Sequence, residues 1–357
     1  PRVASHDVKA IDELGADVSI HVLMYEPMVE RPVQRRVKIY RTDQPISLTA
    51  VLPVLTSLGV DVVDERPYEI NRSGADPVWI YDFGMTIGSA RIPEPTSLGE
   101  RFAEAFLAIW HGRAEVDALN ALIVRAGLDW RQVSVLRAYS RYLRQSGTSF
   151  APEHIERALL ANADIAVSLV RLFELRFDPG ESLRVDTARA ERITRATDSI
   201  VSALDAVASL DEDRILRALL SMITATLRTN HYRRDESGRH REIVTMKLDA
   251  SRIDVLPQPR PSYEVWAYSP RVEGVHLRFG RIARGGLRWS DRPADFRTEV
   301  LGLVKAQQVK NAVIVPVGAK GGFVPKRLPD PTLDRAGWLA EGQQAYTLFI
   351  SGLLDIT

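Results

Sequence analysis

The sequence predicts an α+β protein of several domains, because its pattern changes twice along the 357 residues. Short β-branched and aromatic runs surround one helix up to about residue 95, and a helical period of 3.6 residues then continues to about residue 255. A proline-rich linker and a second set of strands open the last segment. The predicted domains are therefore 1–95, 96–255 and 256–357.

The composition is that of an ordinary globular chain, with 45% hydrophobic and 26% charged residues and no cysteine. The formal net charge is +1 and no basic block stands apart, so we predict no nucleic-acid partner. No apolar run approaches the roughly 18 residues of a membrane span. The chain begins with proline and lacks a secretory signal. We expect a cytoplasmic protein without a membrane partner, cut from a longer polypeptide.

The first segment reads as strand, strand, helix, strand, strand. The runs Val18–Tyr25 and Arg36–Arg41 are typical of strands, and a helix is predicted from Ser47, its cap, to Gly59. VDVVDERPYEI and VWIYDFGMTI follow as two more strands. This order resembles the ferredoxin-like regulatory modules called ACT domains. The resemblance implies an amino-acid effector site, and a purely structural or oligomerising module is an equal alternative.

The middle segment is predicted to be all helical. Phe102, Phe106 and Trp110 are typical of its apolar stripes at helical spacing. The polar stretch TNHYRRDESGRHRE, residues 229–242, closes the segment. Its histidines, His231 and His240, lack the i, i+4 spacing of a metal-binding pair. We therefore predict a solvated loop and no metal site.

The third segment follows the linker LPQPRPS and begins with the strands EVWAYS and GVHLRFG. A helix is predicted next, with Ser290 or Asp291 as its cap and Pro293 in its first turn. Its predicted core-facing residues are Phe296, Val300, Leu303 and Val304. The same face continues into Gln307 and Lys310, and the buried strand AVIVPV follows. A core-facing stripe that ends in an amide and an ammonium predicts either snorkelling side chains or a polar cavity.

Lysine is rare in this chain, which has 47 basic residues, and it is concentrated near the end. The seven lysines are Lys9, Lys38, Lys247, Lys305, Lys310, Lys320 and Lys326. A composition that favours arginine this strongly keeps lysine where arginine cannot serve, since a buried lysine can lose its proton near neutral pH. The alternative, that the clustered lysines are merely solvated, stays open.

Glycine turns surround the candidate lysine. GAKGG places Lys320 directly after the predicted strand, and ligands of open α/β sheets collect at the carboxyl ends of strands. With Arg284 and Lys310 it would form a cationic pocket for a small polyanion, in which repulsion and burial lower the pKa of one lysine. A nucleotide phosphate loop is excluded, because its lysine follows the last glycine and opens a helix.

Residues 279–324 carry ARGGLRWSD and TEVLGLVKAQQVKNAVIVPVGAKGGF, and they resemble the substrate-binding segment of large NAD-specific glutamate dehydrogenases. By this resemblance Lys320 is the catalytic lysine, which polarises the carbonyl or activates water, and Lys310 binds the substrate's α-carboxylate. Arg284 takes the place of a lysine that contacts the γ-carboxylate. The remaining substrate-binding residues implied are Gln307, Gly285, Gly286 and Arg288.

The resemblance implies an oxidoreductase that converts L-glutamate to 2-oxoglutarate and ammonia with NAD and acts as a homo-oligomer. NAD would be bound by a Rossmann domain absent from this chain, so we expect the fragment alone to be inactive. The general-base aspartate motif is also missing, and Asp355 is the only late acidic candidate. Two alternatives stay open: an amino-acid-sensing regulatory or assembly module, and another amino-acid dehydrogenase of the same superfamily.

Overall fold

The computed structural model describes residues 2–15, 18–26, 34–42, 44–88, 95–182, 186–280, 285–311 and 318–357. The chain divides into two compact units, Pro1–Val133 and Ser134–Thr357, and each contains its own sheet. Within the described residues no helix is long and apolar enough to cross a membrane.

The first unit is built on a four-stranded antiparallel sheet with the order β1-β2-β4-β3. Its elements are α1 (Arg2–Asp12), β1 (Ile20–Tyr25), β2 (Gln34–Arg41), α2 (Leu48–Ser57), β3 (Val60–Arg72), β4 (Ala75–Ile87), α3 (Pro95–Trp110) and α4 (Ala121–Ala126). The predicted order of strand, strand, helix, strand, strand is confirmed. Gly59 follows α2 with φ of 80°, the left-handed conformation that glycine adopts readily after a helix. Ser47 precedes α2, but its hydroxyl contacts Thr49 and makes no capping bond to the backbone.

Helix α1, which the sequence pattern did not predict, covers one face of this sheet. Ala10 and Leu14 pack against the buried Tyr40 of β2. The Asp7 carboxylate accepts two hydrogen bonds from Lys38 Nζ, at 2.7 and 2.8 Å, and one from the Tyr40 hydroxyl at 2.5 Å. The helix is thus attached by an apolar contact and by a partly buried ion pair.

The second unit packs helices around a six-stranded sheet with the order β5-β6-β7-β8-β10-β9. Its helices are α5 (Trp130–Gln145), α6 (Pro152–Ala161), α7 (Ala163–Phe177), α8 (Pro179–Ser182), α9 (Asp186–Leu204), α10 (Leu210–Ala225), α11 (Phe296–Asn311) and α12 (Arg335–Ile356). Its strands are β5 (Thr226–Thr229), β6 (Val244–Leu248), β7 (Tyr263–Tyr268), β8 (Val272–Arg278), β9 (Leu287–Trp289) and β10 (Ala319–Pro325). Only the pairing of β9 with β10 is parallel among these described strands. The prediction of a purely helical segment to about residue 255 is wrong after Ala225, because β5 and β6 join the sheet.

Helices α11 and α12 cover opposite faces of this sheet. Successive side chains of a strand point to opposite faces. Gly322 of β10 faces α11, where a Cβ at this glycine would lie 2.5 Å from Val300 Cγ2. Phe323 points the other way and stacks on Phe349 of α12, with ring centroids 5.8 Å apart. Lys320, two residues before Gly322, therefore lies on the α11 face.

Two predictions about α11 are wrong in detail. The helix begins at Phe296 rather than near Ser290, whose hydroxyl instead donates to Glu299 at 2.6 Å. Phe296, Val300 and Val304 are buried as expected, but Leu303 is 38% exposed. Leu301 is buried in its place, at 3% exposure, because α11 turns a slightly different face to the sheet.

Candidate functional site

A parallel strand pair joined by a helix holds the candidate catalytic lysine. β9 and β10 run parallel, with Leu287 opposite Gly321, and α11 connects them. The first half of α11 packs on the sheet, where Phe296 stacks on Trp266 of β7 and Val300 lies over Gly322 of β10. Lys320 is the second residue of β10, and Gly285 and Gly286 directly precede β9. We call the beginnings of β9 and β10 the βαβ edge.

The side chain of Lys320 lies against the backbone of Gly286. A Cβ at Gly286 would be 3.0 Å from Lys320 Nζ, so a side chain at this position would displace the ammonium group. The Gly286 carbonyl accepts a hydrogen bond from the Gly321 N–H at 2.9 Å, which joins the two segments. Lys320 is partly buried. The ammonium group therefore lies close to the beginning of β9, at the βαβ edge.

The expectation that Lys320 stands in a turn at the carboxyl end of a strand is wrong. Ala319 to Phe323 are strand residues of β10, and Lys320 lies near its amino end. The glycines are required by close packing rather than by a turn, since a Cβ at Gly321 would lie 2.4 Å from Leu287 Cδ2. The predicted strand at 312–317 lies outside the described residues.

Arg288 connects β9 to α11. Its Nε lies 2.5 Å from Glu299 Oε1, and the second oxygen of Glu299 accepts the hydrogen bond from Ser290. The Arg288 side chain is 51% exposed and that of Glu299 only 12%. Arg288, a predicted substrate ligand, therefore also has a structural role beside the βαβ edge.

The other predicted ligands are placed only in part. Gln307 and Lys310 belong to the carboxyl-terminal part of α11, which leads to the βαβ edge. Their side chains lie outside the described part of the chain, and so does the whole of Arg284. Gly285 and Gly286 lie at the edge, as described above. Of the predicted site residues, the structure thus brings Lys320 and the two glycines together, and the place of Lys310 and Gln307 beside them stays a prediction.

Asp355 is not part of this site. Its side chain is 2% exposed and pairs with Arg241 at 2.7 Å and Arg233 at 3.3 Å. Asn230 donates to its other oxygen at 2.9 Å and also binds the backbone of β6. Because β7 and β8 separate β6 from β10, this cluster lies about 14 Å from β10 in the sheet. Asp355 fastens the end of α12 to the segment between β5 and β6.

The segment 229–242 is not simply a solvated loop. His231 is 8% exposed and packs edge-on against Phe173, with ring centroids 5.5 Å apart. Among the residues that the structure describes, no three His, Asp or Glu side chains are grouped so that they could hold a metal ion.

Sequence reasoning missed a buried ion pair beneath α11. Arg297 Nε and Nη2 donate to the two carboxylate oxygens of Glu264 at 2.6 and 2.8 Å, and both side chains are fully buried. Burial opposes the charge on Arg297, but the Glu264 carboxylate outweighs burial and raises the pKa of Arg297. A glutamate at the start of the apolar run EVWAY was the available signal.

The first unit offers a separate cleft beside α2. It has a volume of about 650 Å³ and is lined by Thr49, Leu52, Pro53, Thr56, Ser57, Asp117 and Ala118. Asp117 accepts a hydrogen bond from the Leu119 N–H at 3.2 Å. The lining is mainly apolar and contains no basic side chain.

The fold and the site define a chain in which an ACT-like module and helices precede an α/β segment with a positioned lysine. Family models match three stretches of it. Residues 199–357 match the catalytic domain of bacterial NAD-glutamate dehydrogenase, residues 114–179 match helical motif 3 of glutamate dehydrogenase, and residues 19–97 match its ACT3 domain.

Known proteins agree with these models. The whole chain is 50% identical to part of the NAD-specific glutamate dehydrogenase of Mycobacterium tuberculosis. It is 47% identical to part of the enzyme of the same name from Pseudomonas aeruginosa, and 46% to that from Halomonas elongata. The chain belongs to the family of NAD-specific glutamate dehydrogenases. It spans 22% of the length of each of these relatives.

Proposed function

We propose that this segment supplies the substrate-binding lysines of an NAD-dependent glutamate dehydrogenase. The enzyme would oxidise L-glutamate to 2-iminoglutarate and hydrolyse this imine to 2-oxoglutarate and ammonia. The observation that carries the proposal is the position of Lys320 against Gly286 at the βαβ edge. The names of the relatives support the choice of reaction and of NAD.

We assign NAD to no residue of this chain. NAD, when bound, accepts the hydride from the substrate. A dinucleotide fold needs a glycine-rich turn between a strand and the helix that holds the pyrophosphate. In the described residues the parallel crossover is β9 to α11, and its connection, residues 290–295, contains no glycine. We therefore place NAD binding in another part of the longer enzyme.

Each proposed site residue has a distinct role. Lys320 would polarise the carbonyl or carbinolamine oxygen and help to activate the attacking water. Lys310 would bind the α-carboxylate from the end of α11, with Gln307 one turn earlier. Arg284 would grip the γ-carboxylate through two parallel hydrogen bonds. Gly285 and Gly286 would let the substrate approach the backbone closely, and Arg288 would line the site from β9.

The first test is calorimetric titration of the chain with 2-oxoglutarate and with L-glutamate. We expect the parent chain to bind and Lys310→Ala to abolish binding, because the α-carboxylate loses its cation. Lys305→Ala is the matched control, since Lys305 is exposed on the same helix and donates to the Gln258 carbonyl. Equal affinity of the parent and Lys310→Ala chains would contradict the proposed carboxylate site.

The second test is steady-state kinetics of a full-length dehydrogenase that carries this segment. Lys320→Ala should lower kcat by about 100-fold or more, as loss of a positioned proton-transfer group does. Arg284→Met should abolish the preference for glutamate over apolar amino acids. Unchanged activity on glutamate in Arg284→Met would instead favour another amino-acid dehydrogenase.

Effector binding by the ACT-like module and homo-oligomerisation are further proposals of the same model. The cleft beside α2 is the candidate effector site, although its lining has no cation for a carboxylate. Leu52→Glu should abolish any activation of the full-length enzyme by an amino acid and leave its KM for glutamate unchanged. Analytical ultracentrifugation of the same enzyme tests the oligomer.

A further inference from the structure

The buried pair of Arg297 and Glu264 lies in the same row of the sheet as Lys320. Glu264 of β7 stands opposite Leu277 of β8, and Leu277 stands opposite Lys320 of β10. Residues opposite each other in neighbouring strands share a face. Both Lys320 and the ion pair therefore lie beneath α11, with Leu277 between them.

A second polar contact holds the same end of α11. Gln145 Oε1 accepts a hydrogen bond from the backbone N–H of Arg297 at 3.2 Å. Gln145 Nε2 donates to the carbonyls of Pro293 at 2.9 Å and Ala294 at 3.2 Å, just before the helix. The beginning of α11 is thus fixed to the sheet by Arg297 and to α5 by Gln145.

The apolar contacts of α11 hold it close to the sheet but are less directional. Val300 lies over Gly322, and Phe296 and Val304 are buried one turn on either side. Apolar burial scales with area and has no preferred direction. A guanidinium that donates two parallel bonds to a carboxylate has one geometry. The ion pair therefore supplies the directional contact that apolar packing lacks.

A small shift of α11 along its axis would change the position of Lys310 near its carboxyl end. One residue of slip along a helix moves each Cα by about 1.5 Å and turns each side chain by about 100°. Arg297 is the second residue of α11 and Lys310 the last but one. A helix is stiff over this length. An axial shift of α11 at Arg297 therefore moves Lys310 by the same distance.

We propose that Arg297 and Glu264 are positioning residues, whose buried pair sets the register of α11 on the sheet and thereby the place of Lys310 relative to Lys320. The proposal rests on the proposed function for the roles of the two lysines. Replacing a buried ion pair by apolar side chains of similar volume is often neutral or stabilising. The pair therefore provides register rather than net stability.

The test uses the double variant Glu264→Leu/Arg297→Met, which removes both charges together and should fold. The control is Arg292→Met/Asp295→Leu, which removes an exposed ion pair just before the same helix. Because the chain has no cysteine, spin labels can be attached through Lys305→Cys on α11 and Thr347→Cys on α12, both exposed positions. We expect a shifted or broadened distance between the labels in the double variant and an unchanged distance in the control.

Ligand binding separates this inference from the proposed function. We expect at least a tenfold loss of 2-oxoglutarate affinity in the double variant, with a melting temperature within a few degrees of the parent. In a full-length enzyme the KM for glutamate should rise while the KM for NAD stays unchanged, which a general loss of structure would not produce. An unchanged label distance overturns the register proposal, whether or not the chain binds substrate. A changed distance with unchanged affinity supports the register and contradicts the role proposed for Lys310.

Discussion

The two sheets of this chain bury charge in different ways. In the first unit Arg36 is shared between Asp82 at 2.9 Å and Asp64 at 2.8 Å, and the Asp64 side chain is 45% exposed. In the second unit Arg297 pairs with Glu264, neither side chain is exposed, and the buried Tyr142 hydroxyl lies beside both. A shared network near water offers each charge a substitute partner. A pair that is closed off from water cannot replace a lost partner by hydration, so its geometry is better defined and the loss of one partner is more damaging.

Tyr25 strengthens the network of the first unit. Its hydroxyl donates to Asp82 at 2.8 Å. Burial, together with the bond to Asp82, raises the pKa of Tyr25 above its usual value, so the hydroxyl stays a donor at physiological pH. Asp82 therefore keeps a hydrogen-bond donor even when Arg36 is removed.

The largest difference in stability between the two units is expected when Arg297 or Arg36 is removed. Arg297→Met leaves Glu264 buried without its cation, which should cost about 3–5 kcal/mol of stability. Arg36→Met leaves Asp82 its bond from Tyr25 and leaves Asp64 open to water, and should cost roughly 1.5–3 kcal/mol, the range for a hydrogen bond to a charged group. Urea unfolding followed by hydrogen exchange, read separately on peptides of β7 and β2, measures both losses. Equal losses would mean that the two networks do not differ as described.

A smaller difference is expected from adding one methyl group to each sheet. A Cβ at Gly274 of β8 would lie 2.4 Å from the Phe349 ring, which cannot move without disturbing α12. Gly274→Ala should therefore destabilise the second unit by roughly 1–3 kcal/mol.

Gly84 of β4 is the matched position in the first unit. A Cβ there would lie 2.7 Å from Asp64 Oδ2 and 2.8 Å from Arg36 Nη1, the ends of two flexible side chains. Gly84→Ala should cost less than Gly274→Ala, because the Asp64 carboxylate is 45% exposed and can move aside. Thermal unfolding of both variants measures this difference. A large loss of stability in Gly84→Ala would show that the charged network is rigid.

Sequence patterns predicted the first unit well and the second less completely. The strands and α2 have long regular patterns and a clear stop at Gly59, so their order was predictable. β5 and β6 were not, because the four residues of β5 directly follow α10 without a turn signal. α1 escaped notice because its contact with Tyr40 depends on residues distant in sequence.

The candidate site could be predicted where local chemistry marked it. Lys320 is a candidate because lysine is rare and glycines surround it, and in the structure Gly286 lies against its ammonium group. The local strand was misread, since glycines predict turns more often than close packing. Arg297 and Glu264 were missed because they are 33 residues apart, and one charge in an amphipathic helix normally faces water.

The smallest expected difference concerns two histidines. His276 lies on β8 between Val265 and Gly321, and burial, followed by repulsion from Arg278, lowers its pKa. His111 in the first unit is more exposed, and burial with Arg113 and Arg41 lowers its pKa as well. In both cases the unfolded chain binds a proton more readily than the folded chain.

The sign of the pH effect follows from this difference. His276 and His111 do not affect stability above the pKa of the unfolded chain, about 6.5, where both are neutral in either state. As the pH drops below that value toward the folded pKa, protonation favours the unfolded chain and stability falls. His276→Gln should therefore reduce the fall in melting temperature between pH 7.5 and 5.5. His111→Gln should reduce it less, because water screens the more exposed ring. A larger effect of His111→Gln than of His276→Gln would contradict this. It would mean that repulsion of His111 by its arginines affects stability more than the burial of His276.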